Sequence, residues 1–364
     1  MTFEKLISLV ALILVPLSLM ADFLHWGTTA VFIYSGLAII PLAIGLSTAT
    51  EKVAVATGPS LGGLVNAIFG SATGLIIALV ALREGLVDLV KASITGSILC
   101  DLLLFLGLAM LTGGIRYKEQ KFQPILAQVN GVSMTLAVIA IALPTLVIDT
   151  SNMVELLTIN RLSIVVATVL LIVYGLTLLF SLKTHSYLYD IGVAIKKDSK
   201  LIQEQEETFD KKYLIFWIGV LLITTIGVAF ESEKFVDVVD SVIEKIGLTP
   251  LFTGVILLPL LSDVAGIVTV VRLALKNQMD LTVAIAMGDS LLVALLTAPL
   301  LVLGGLVVNK DMNLNFNSFE VVALAIAVTI TNLISFSGNS NWLNGTLLLA
   351  TYIILGVAFY YHPV

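Results

Sequence analysis

The chain has 364 residues, of which 58% are apolar and only 12% are charged. A soluble domain of ordinary composition carries about 25% charged residues, so this composition excludes a water-soluble enzyme. The net charge of −6 and the lack of a basic stripe argue against a nucleic-acid partner. One cysteine, Cys100, and three singly scattered histidines exclude a disulfide framework and a histidine-based metal centre.

Apolar runs long enough to cross a hydrocarbon core recur from one end of the chain to the other. Because a backbone in lipid must satisfy its own hydrogen bonds, each run is predicted to be a helix. The first run lacks a small-residue cleavage site and is interpreted as a retained helix rather than a signal peptide. The predicted fold class is therefore all-α, a polytopic membrane protein. The eleven predicted spans are 6–20, 29–46, 59–82, 91–112, 126–148, 162–182, 213–230, 251–275, 281–308, 319–336 and 342–361.

One long polar segment, 183–212, divides these spans into two groups. The predicted parts are an N-terminal transmembrane helix at 1–28, a first five-helix repeat at 29–182, this charged loop, and a second five-helix repeat at 213–364. Lysines and arginines number 13 on the N-terminal face and 6 on the opposite face, and such residues concentrate in the cytoplasm. The N-terminus and the loop are thus predicted to be cytoplasmic, with the C-terminus on the far side. The loop is interpreted as a solvated linker, with a regulatory or cation-sensing role as the alternative.

The two groups of spans resemble each other at an offset of 192 residues, where segment 74–104 overlays 266–296 with eight identities. The informative identities pair glycines and loop aspartates: Gly74 with Gly266, Gly96 with Gly288, and Asp88 with Asp280. Because each copy holds an odd number of spans, the second must cross the membrane in the opposite direction. Inverted repeats are typical of secondary transporters, whose substrate site lies where the copies meet. The alternative is chance similarity between apolar helices.

Several short strings carry a family resemblance. They are GPSLGGLVNA at 58–67, IALVALREGL at 77–86, KASITGSIL at 91–99 and LKNQMDL at 275–281. With these strings the chain resembles, from the first helix to the last, the CAX-type calcium/proton antiporters of the sodium/calcium exchanger superfamily. The resemblance implies a membrane transporter that exports Ca²⁺ in exchange for H⁺.

The same resemblance implies two membrane-embedded glutamates, one in each repeat, in the pattern Gly-Asn-Ala-x-Glu. Here the first copy reads Gly-Ser-Ala-Thr-Gly at 70–74, and the second reads Ser-Asp-Val-Ala-Gly at 262–266. Gly74 and Gly266 therefore stand where the family has its ion-binding glutamates, and Ile267 replaces a family histidine. The scaffold of the family is present, and its two principal ligands are not.

Three aspartates remain inside the predicted spans: Asp101, Asp263 and Asp289. An ionisable side chain within a membrane is expensive and is a functional candidate by default. One hypothesis is a relocated cation or proton site, with Asp263 as the candidate metal ligand. The alternative is that the acids are protonated remnants of a lost site. The glycines at 74 and 266 are expected to leave space that water fills. The further polar pathway candidates are Asn66, Ser71, Thr73, Ser97 and Ser262.

The resemblance implies a secondary active transporter rather than an enzyme, with Ca²⁺ and H⁺ as cargo and no resident cofactor. Two alternatives stay open: an antiporter with altered cation selectivity that uses the relocated aspartates, and a transport-inactive homologue. The expected partners are the lipid bilayer and inorganic cations. Because a long N-terminal extension is lacking, a prokaryotic plasma membrane is the expected location.

Overall fold

The computed structural model describes residues 3–151, 156–185 and 211–362, which are helical apart from two short strands and the connecting turns. The α-helices are α1 Phe3–Phe23, α2 Thr28–Phe69, α3 Ala72–Glu84, α4 Val87–Leu99, α5 Leu106–Tyr117, α6 Pro124–Thr150, α7 Leu156–Leu179, α8 Lys211–Ile246, α9 Pro250–Phe252, α10 Leu258–Ser262, α11 Val264–Leu275, α12 Met279–Leu292, α13 Ala298–Val307, α14 Ser318–Ser335 and α15 Trp342–Tyr361. π-helical segments continue several of them at Cys100–Phe105, Phe180–Thr184, Thr253–Leu257 and Val293–Thr297.

Eight helices in the described part of the chain are long and apolar enough to cross a membrane, and the bent pair Pro250–Ser262 and Val264–Leu275 makes a ninth. The prediction of an all-α, polytopic membrane protein is therefore confirmed. The predicted runs 6–20 and 59–82 are not among these nine. Among the residues described in full, the apolar helix near the N-terminus spans Val10–Phe23, and the other run is divided between the end of α2 and α3. The count of eleven spans stays a prediction.

Two helices extend well beyond the ends predicted from the sequence. Helix α2 continues past residue 46, because the Thr48 and Thr50 hydroxyls each donate to a backbone carbonyl four residues earlier, both at 2.8 Å. Helix α8 continues past residue 230, and the Ser232 hydroxyl donates to the Val228 carbonyl oxygen at 2.6 Å. A polar side chain that hydrogen-bonds to a carbonyl of its own helix does not end that helix.

The charged loop predicted at 183–212 lies mostly outside the described residues, which resume at 211. Its two predicted ends are helical instead. The π-helical segment Phe180–Thr184 runs into the N-terminal end of the predicted loop, and α8 begins at Lys211. The structure therefore does not test the prediction that this loop is a solvated linker.

Local backbone features recur at the offset of 192 residues that relates the two sequence copies. The features are a helix break at Ser71 and Asp263, a turn residue with positive φ at Gly85 (89°) and Asn277 (59°), and a π-helical segment at Cys100–Phe105 and Val293–Thr297. One helix break, one turn residue and one π-helical segment in each half of the sequence are thus separated by the same offset as the identical residues.

The chain forms two compact units, Met1–Ile77 with Thr177–Val242, and Ala78–Leu176 with Ile243–Val364. Each unit takes segments from both halves of the sequence. In the first unit α1 packs along α2, and the Ser18 hydroxyl donates to Glu231 Oε2 at 2.5 Å. Apolar side chains form its core: Leu42, Leu46, Ala49, Ala72, Leu221 and Val228.

The core of the second unit surrounds the π-helical segment that joins α4 to α5. Leu102, Leu103 and Phe105 in this segment are each at most 1% exposed. Helix α5 packs against α11 and α15, and two strands, β1 Glu119–Lys121 and β2 Asn339–Asn341, pair antiparallel with Gln120 opposite Ser340. The strands therefore tie the end of α5 to the start of α15.

A buried lysine anchors the connection between α13 and α14 in the second unit. Lys91 Nζ donates to Asn313 Oδ1 at 2.9 Å and to the Asn315 carbonyl oxygen at 2.7 Å. The amide of Asn313 in turn donates to Asn160 Oδ1 at 3.2 Å. Because a buried ammonium needs acceptors, these contacts hold the connection against α4.

We predict that Asn313→Ala lowers the free energy of unfolding by about 2 kcal/mol, since it removes an acceptor from a buried charged donor. Asn315→Ala is the matched control, because the alanine keeps the backbone carbonyl that accepts from Lys91. Thermal unfolding of the purified proteins in detergent measures both. Equal melting temperatures for the two variants would contradict the assignment of Asn313 as an anchor.

Candidate ion-binding site

Three aspartates of the second unit lie at or near irregular points of its long helices. Asp101 belongs to the π-helical segment that follows α4, and Asp289 lies in the last turn of α12, just before another. Asp263 lies between α10 and α11, which are bent by 62°, and its φ of −111° and ψ of 15° break the helix. π-helical segments and broken helices are frequent at functional sites and in transporters.

Serine hydroxyls link these carboxyl groups to neighbouring helices. Ser97 Oγ lies 3.3 Å from Asp263 Oδ2, and Ser290 Oγ lies 3.4 Å from Asp101 Oδ2. Asp101 also interacts electrostatically with Asp263 and Asp289. Like charges repel strongly in a poorly solvated environment, so neighbouring carboxyl groups bind protons or a cation in a coupled way.

The three carboxyl groups differ in their access to solvent. Asp101 is only 2% exposed, whereas Asp263 and Asp289 keep part of their surface accessible. Ser97 and Ser262, beside the helix break, are both buried, and the Ser262 hydroxyl lies 3.4 Å from the Pro259 carbonyl oxygen. Asp101 is therefore the most enclosed of the three aspartates.

Sequence reasoning missed three polar neighbours of the aspartates. Ser290 follows Asp289 directly, and the adjacent acid was a signal that could have identified it. Cys100 is fully buried, and Tyr352 in α15 lies against its thiol. The Tyr352 hydroxyl is buried beside this thiol. Tyr352 lies in a long apolar helix, and nothing in the sequence there marks it as a neighbour of the aspartates.

The expectation that Gly266 leaves a water-filled space is wrong. A Cβ atom placed on Gly266 would lie 2.4 Å from Phe105 Cε2 and 2.9 Å from Phe105 Cζ. The edge of an aromatic ring therefore already fills the space beside this glycine. Phe105 was not singled out from the sequence, because a phenylalanine in a leucine-rich helix has the character of an ordinary core residue.

The remaining candidate residues belong to the first unit. Asn66 is exposed on α2, and Thr73 is 6% exposed at the start of α3. Ser71 lies at the break between these helices, and Gly74 lies within the first turn of α3; both are partly buried. Their roles as pathway residues stay predictions.

No metal site is assembled in the described residues. Within 3–151, 156–185 and 211–362, no group of three or more histidine, cysteine, aspartate or glutamate side chains is placed to hold a metal ion. In the described residues, the three aspartates are thus not arranged as a metal site. The assignment of Asp263 as a metal ligand stays a prediction.

Comparisons with known proteins agree with this fold. A model of the sodium/calcium exchanger protein family matches residues 7–183 and 216–361. A Ca(2+)/H(+) antiporter of Aphanothece halophytica is 52% identical over 357 residues, which are 97% of this chain and 96% of that protein. A Ca(2+)/H(+) antiporter of Synechocystis sp. is 50% identical over 371 residues, covering 100% of this chain and 99% of that protein. The solved structure of native YfkE superposes with a TM-score of 0.82 at 32% identity, over 97% of this chain and 99% of that chain.

The protein has long apolar helices with acidic residues at or near their irregular points. These features define an integral membrane protein of the ion-transporter class. The chain belongs to the sodium/calcium exchanger protein family. The predicted family resemblance is thus confirmed, while the placement of Gly74 and Gly266 at glutamate positions of the family stays a prediction.

The difference in solvent access between the aspartates predicts a labelling pattern. In a Cys100→Ala background, Asp263→Cys and Asp289→Cys should react with a small water-soluble thiol reagent, because both positions are partly accessible. Asp101→Cys should stay unlabelled until the protein is denatured, as should Ser18→Cys, a fully buried control. Labelling of the variant at 101 as fast as the other two would contradict the predicted order of access.

Proposed function

We propose that the protein is a proton-coupled cation antiporter that exchanges Ca²⁺ for H⁺, with the carboxyl groups of Asp101, Asp263 and Asp289 as its exchanging groups. The observation that carries the proposal is the enclosure of three interacting carboxyl groups at or beside interruptions of transmembrane helices. The named activity of the Aphanothece and Synechocystis relatives, both at least 50% identical over almost the whole chain, supports Ca²⁺ as the cation.

A carboxyl group couples the two ions because the same oxygens bind either a proton or a metal cation. When the acids are protonated, the cluster is neutral and stable without a cation. When they lose protons, their charge must be offset, and two carboxylates match the charge of one Ca²⁺. Cation affinity at this site therefore falls as the pH falls, which is the condition for exchange.

Ca²⁺ takes about six to eight oxygen ligands, so neutral oxygens must supply the ligands that the carboxyl groups do not. Ser97 and Ser290 already contact the aspartates, and the break at Asp263 frees backbone carbonyls from the helical hydrogen-bond pattern. Such carbonyls at a broken helix coordinate cations in other transporters. The serines position the carboxyl groups, and the aspartates supply the charge.

We infer an architecture of eleven spans in two inverted five-helix repeats after an N-terminal helix. The helix break, the positive-φ turn and the π-helical segment that recur at one offset support it. The excess of lysine and arginine on one side, with an odd number of spans, supports a cytoplasmic N-terminus and a C-terminus on the opposite side. The Aphanothece and Synechocystis relatives support insertion in a prokaryotic plasma membrane. No catalytic residue or resident cofactor is part of this proposal.

The site differs from the family pattern in which two glutamates bind the ion. We infer that Gly74 and Gly266 stand at those two positions, as the strings around them indicate. Asp263 lies three residues before Gly266, about one helical turn away, so it offers a carboxyl group close to the vacated position. Because the number and spacing of anionic oxygens decide which cation is preferred, the alternative of an altered cation selectivity rests on this relocation.

A second candidate function is that of a non-transporting homologue with a regulatory or assembly role. Two observations favour it. The described acids are not gathered into a metal-binding group, and the Phe105 ring fills the space beside Gly266. In this case the aspartates stay protonated and hydrogen-bonded, and no cation displaces their protons.

Purified protein in liposomes that contain a pH dye tests the proposal. We expect external Ca²⁺ to drive proton movement above the level of empty liposomes, with Mn²⁺, Na⁺ and K⁺ as the comparison cations. Asp263→Asn and Asp289→Asn should each lower the rate at least about tenfold, because an amide neither exchanges a proton nor offsets charge. Asp240→Asn, at an exposed position outside the cluster, should retain the wild-type rate.

Two results would contradict the proposal in different ways. Wild-type rates in both cluster variants would show that these aspartates are not the exchanging groups. Absence of proton movement with every cation, from a monodisperse and correctly folded protein, would favour the non-transporting homologue.

A further inference from the structure

Phe105 and Gly266 are matched in shape within the second unit. A Cβ on Gly266 would meet the ring at Cε2 and Cζ, at 2.4 Å and 2.9 Å, and its Cδ2 at 3.5 Å. Phe105 is only 1% exposed, so neighbouring side chains hold the ring on its other sides. A ring packed in this way cannot yield several tenths of an ångström without shifting other core residues.

The matched pair lies beside two of the clustered acids. Phe105 is the last residue of the π-helical segment that contains Asp101, and Gly266 follows Asp263 by about one helical turn. The ring therefore lies between the segments that carry two of the three carboxyl groups. No side chain extends from position 266 to share the charge of a cation there.

We propose that Phe105 is a specificity-determining residue of the ion site: its ring occupies the space beside Gly266 and thereby excludes a carboxylate ligand from position 266. The packing part of this inference stands on its own, and the part that concerns ion selectivity rests on the proposed function. With position 266 excluded, the charge for the cation comes from the proposed exchanging groups, Asp101, Asp263 and Asp289. Fewer anionic oxygens lower the affinity for Ca²⁺.

The repeat-related position shows that this ring is a feature of one copy alone. Residue 297 corresponds to residue 105 at the offset of 192 and is a threonine. Its hydroxyl oxygen is buried without a hydrogen-bond partner among the described residues. One copy therefore presents an apolar ring, and the other presents a polar oxygen, at corresponding points of their π-helical segments.

Thermal unfolding in detergent tests the packing of the pair. Gly266→Ala should lower the melting temperature by about 5 °C in the wild-type background, because its methyl group overlaps the ring. In a Phe105→Leu background the same change should cost much less, since leucine lacks the Cε and Cζ atoms that the methyl group would meet. Gly288→Ala is the matched control, because a Cβ at Gly288 meets nothing within 4 Å.

A Gly266→Ala effect of equal size in both backgrounds would overturn the inference. If Phe105→Leu itself fails to fold, Phe105→Ala replaces it in the same cycle. An effect of Gly288→Ala that also depends on residue 105 would likewise overturn it, because the coupling would then not be specific to the pair.

Equilibrium binding of ⁴⁵Ca²⁺ to the purified protein tests the selectivity. Gly266→Glu should lose folded protein in the wild-type background, but fold in the Phe105→Leu background and bind Ca²⁺ at least about tenfold more tightly than Phe105→Leu alone. A folded double variant with unchanged Ca²⁺ affinity would overturn the role of Phe105 in specificity. Binding is measured without transport, so a failure of the proposed antiport and a failure of this inference give different results.

Discussion

A carboxyl group enclosed in a membrane protein must be protonated, hydrogen-bonded or paired with a cation, and the proposed ion site depends on this constraint. Asp101, Asp263 and Asp289 lie near enough to one another to interact, so their charges cannot be considered separately. Hydroxyl contacts from Ser97 and Ser290 stabilise two of them. In the proposed mechanism, protons or a cation bind to these carboxyl groups in turn, and this alternation couples the two ions.

The irregular helices make the enclosed acids possible. A continuous α-helix satisfies its own backbone groups and offers no carbonyl to an ion, whereas a break such as that at Asp263 leaves some free. The π-helical segment at Cys100–Phe105 similarly turns Asp101 and Phe105 into the core. A helix break, a turn and a π-helical segment recur at an offset of 192 residues, as the proposed repeat requires, with different side chains at corresponding positions. Phe105 in one copy and Thr297 in the other illustrate that variation.

The sequence predicted much of the fold because membrane helices carry a strong compositional signal. The all-α architecture and the candidate acids followed from apolar runs and from ionisable residues within them. Helix ends were harder: α2 continues through Thr48 and Thr50, whose hydroxyls bond within the helix and hide their polarity. The contact of Phe105 with Gly266 could not be predicted, because it joins distant segments through shape alone. Tyr352 reaches the cluster from the last helix in the same way.

Proton release on cation binding tests most directly whether the aspartates exchange protons for a cation. Purified protein in weakly buffered detergent solution, with a pH dye present, is titrated with Ca²⁺. We predict that protons are released in proportion to bound Ca²⁺ and that Asp263→Asn combined with Asp289→Asn abolishes the release. Ca²⁺ binding without proton release, or equal release from the double variant, would contradict the assignment of these carboxyl groups as the site of exchange.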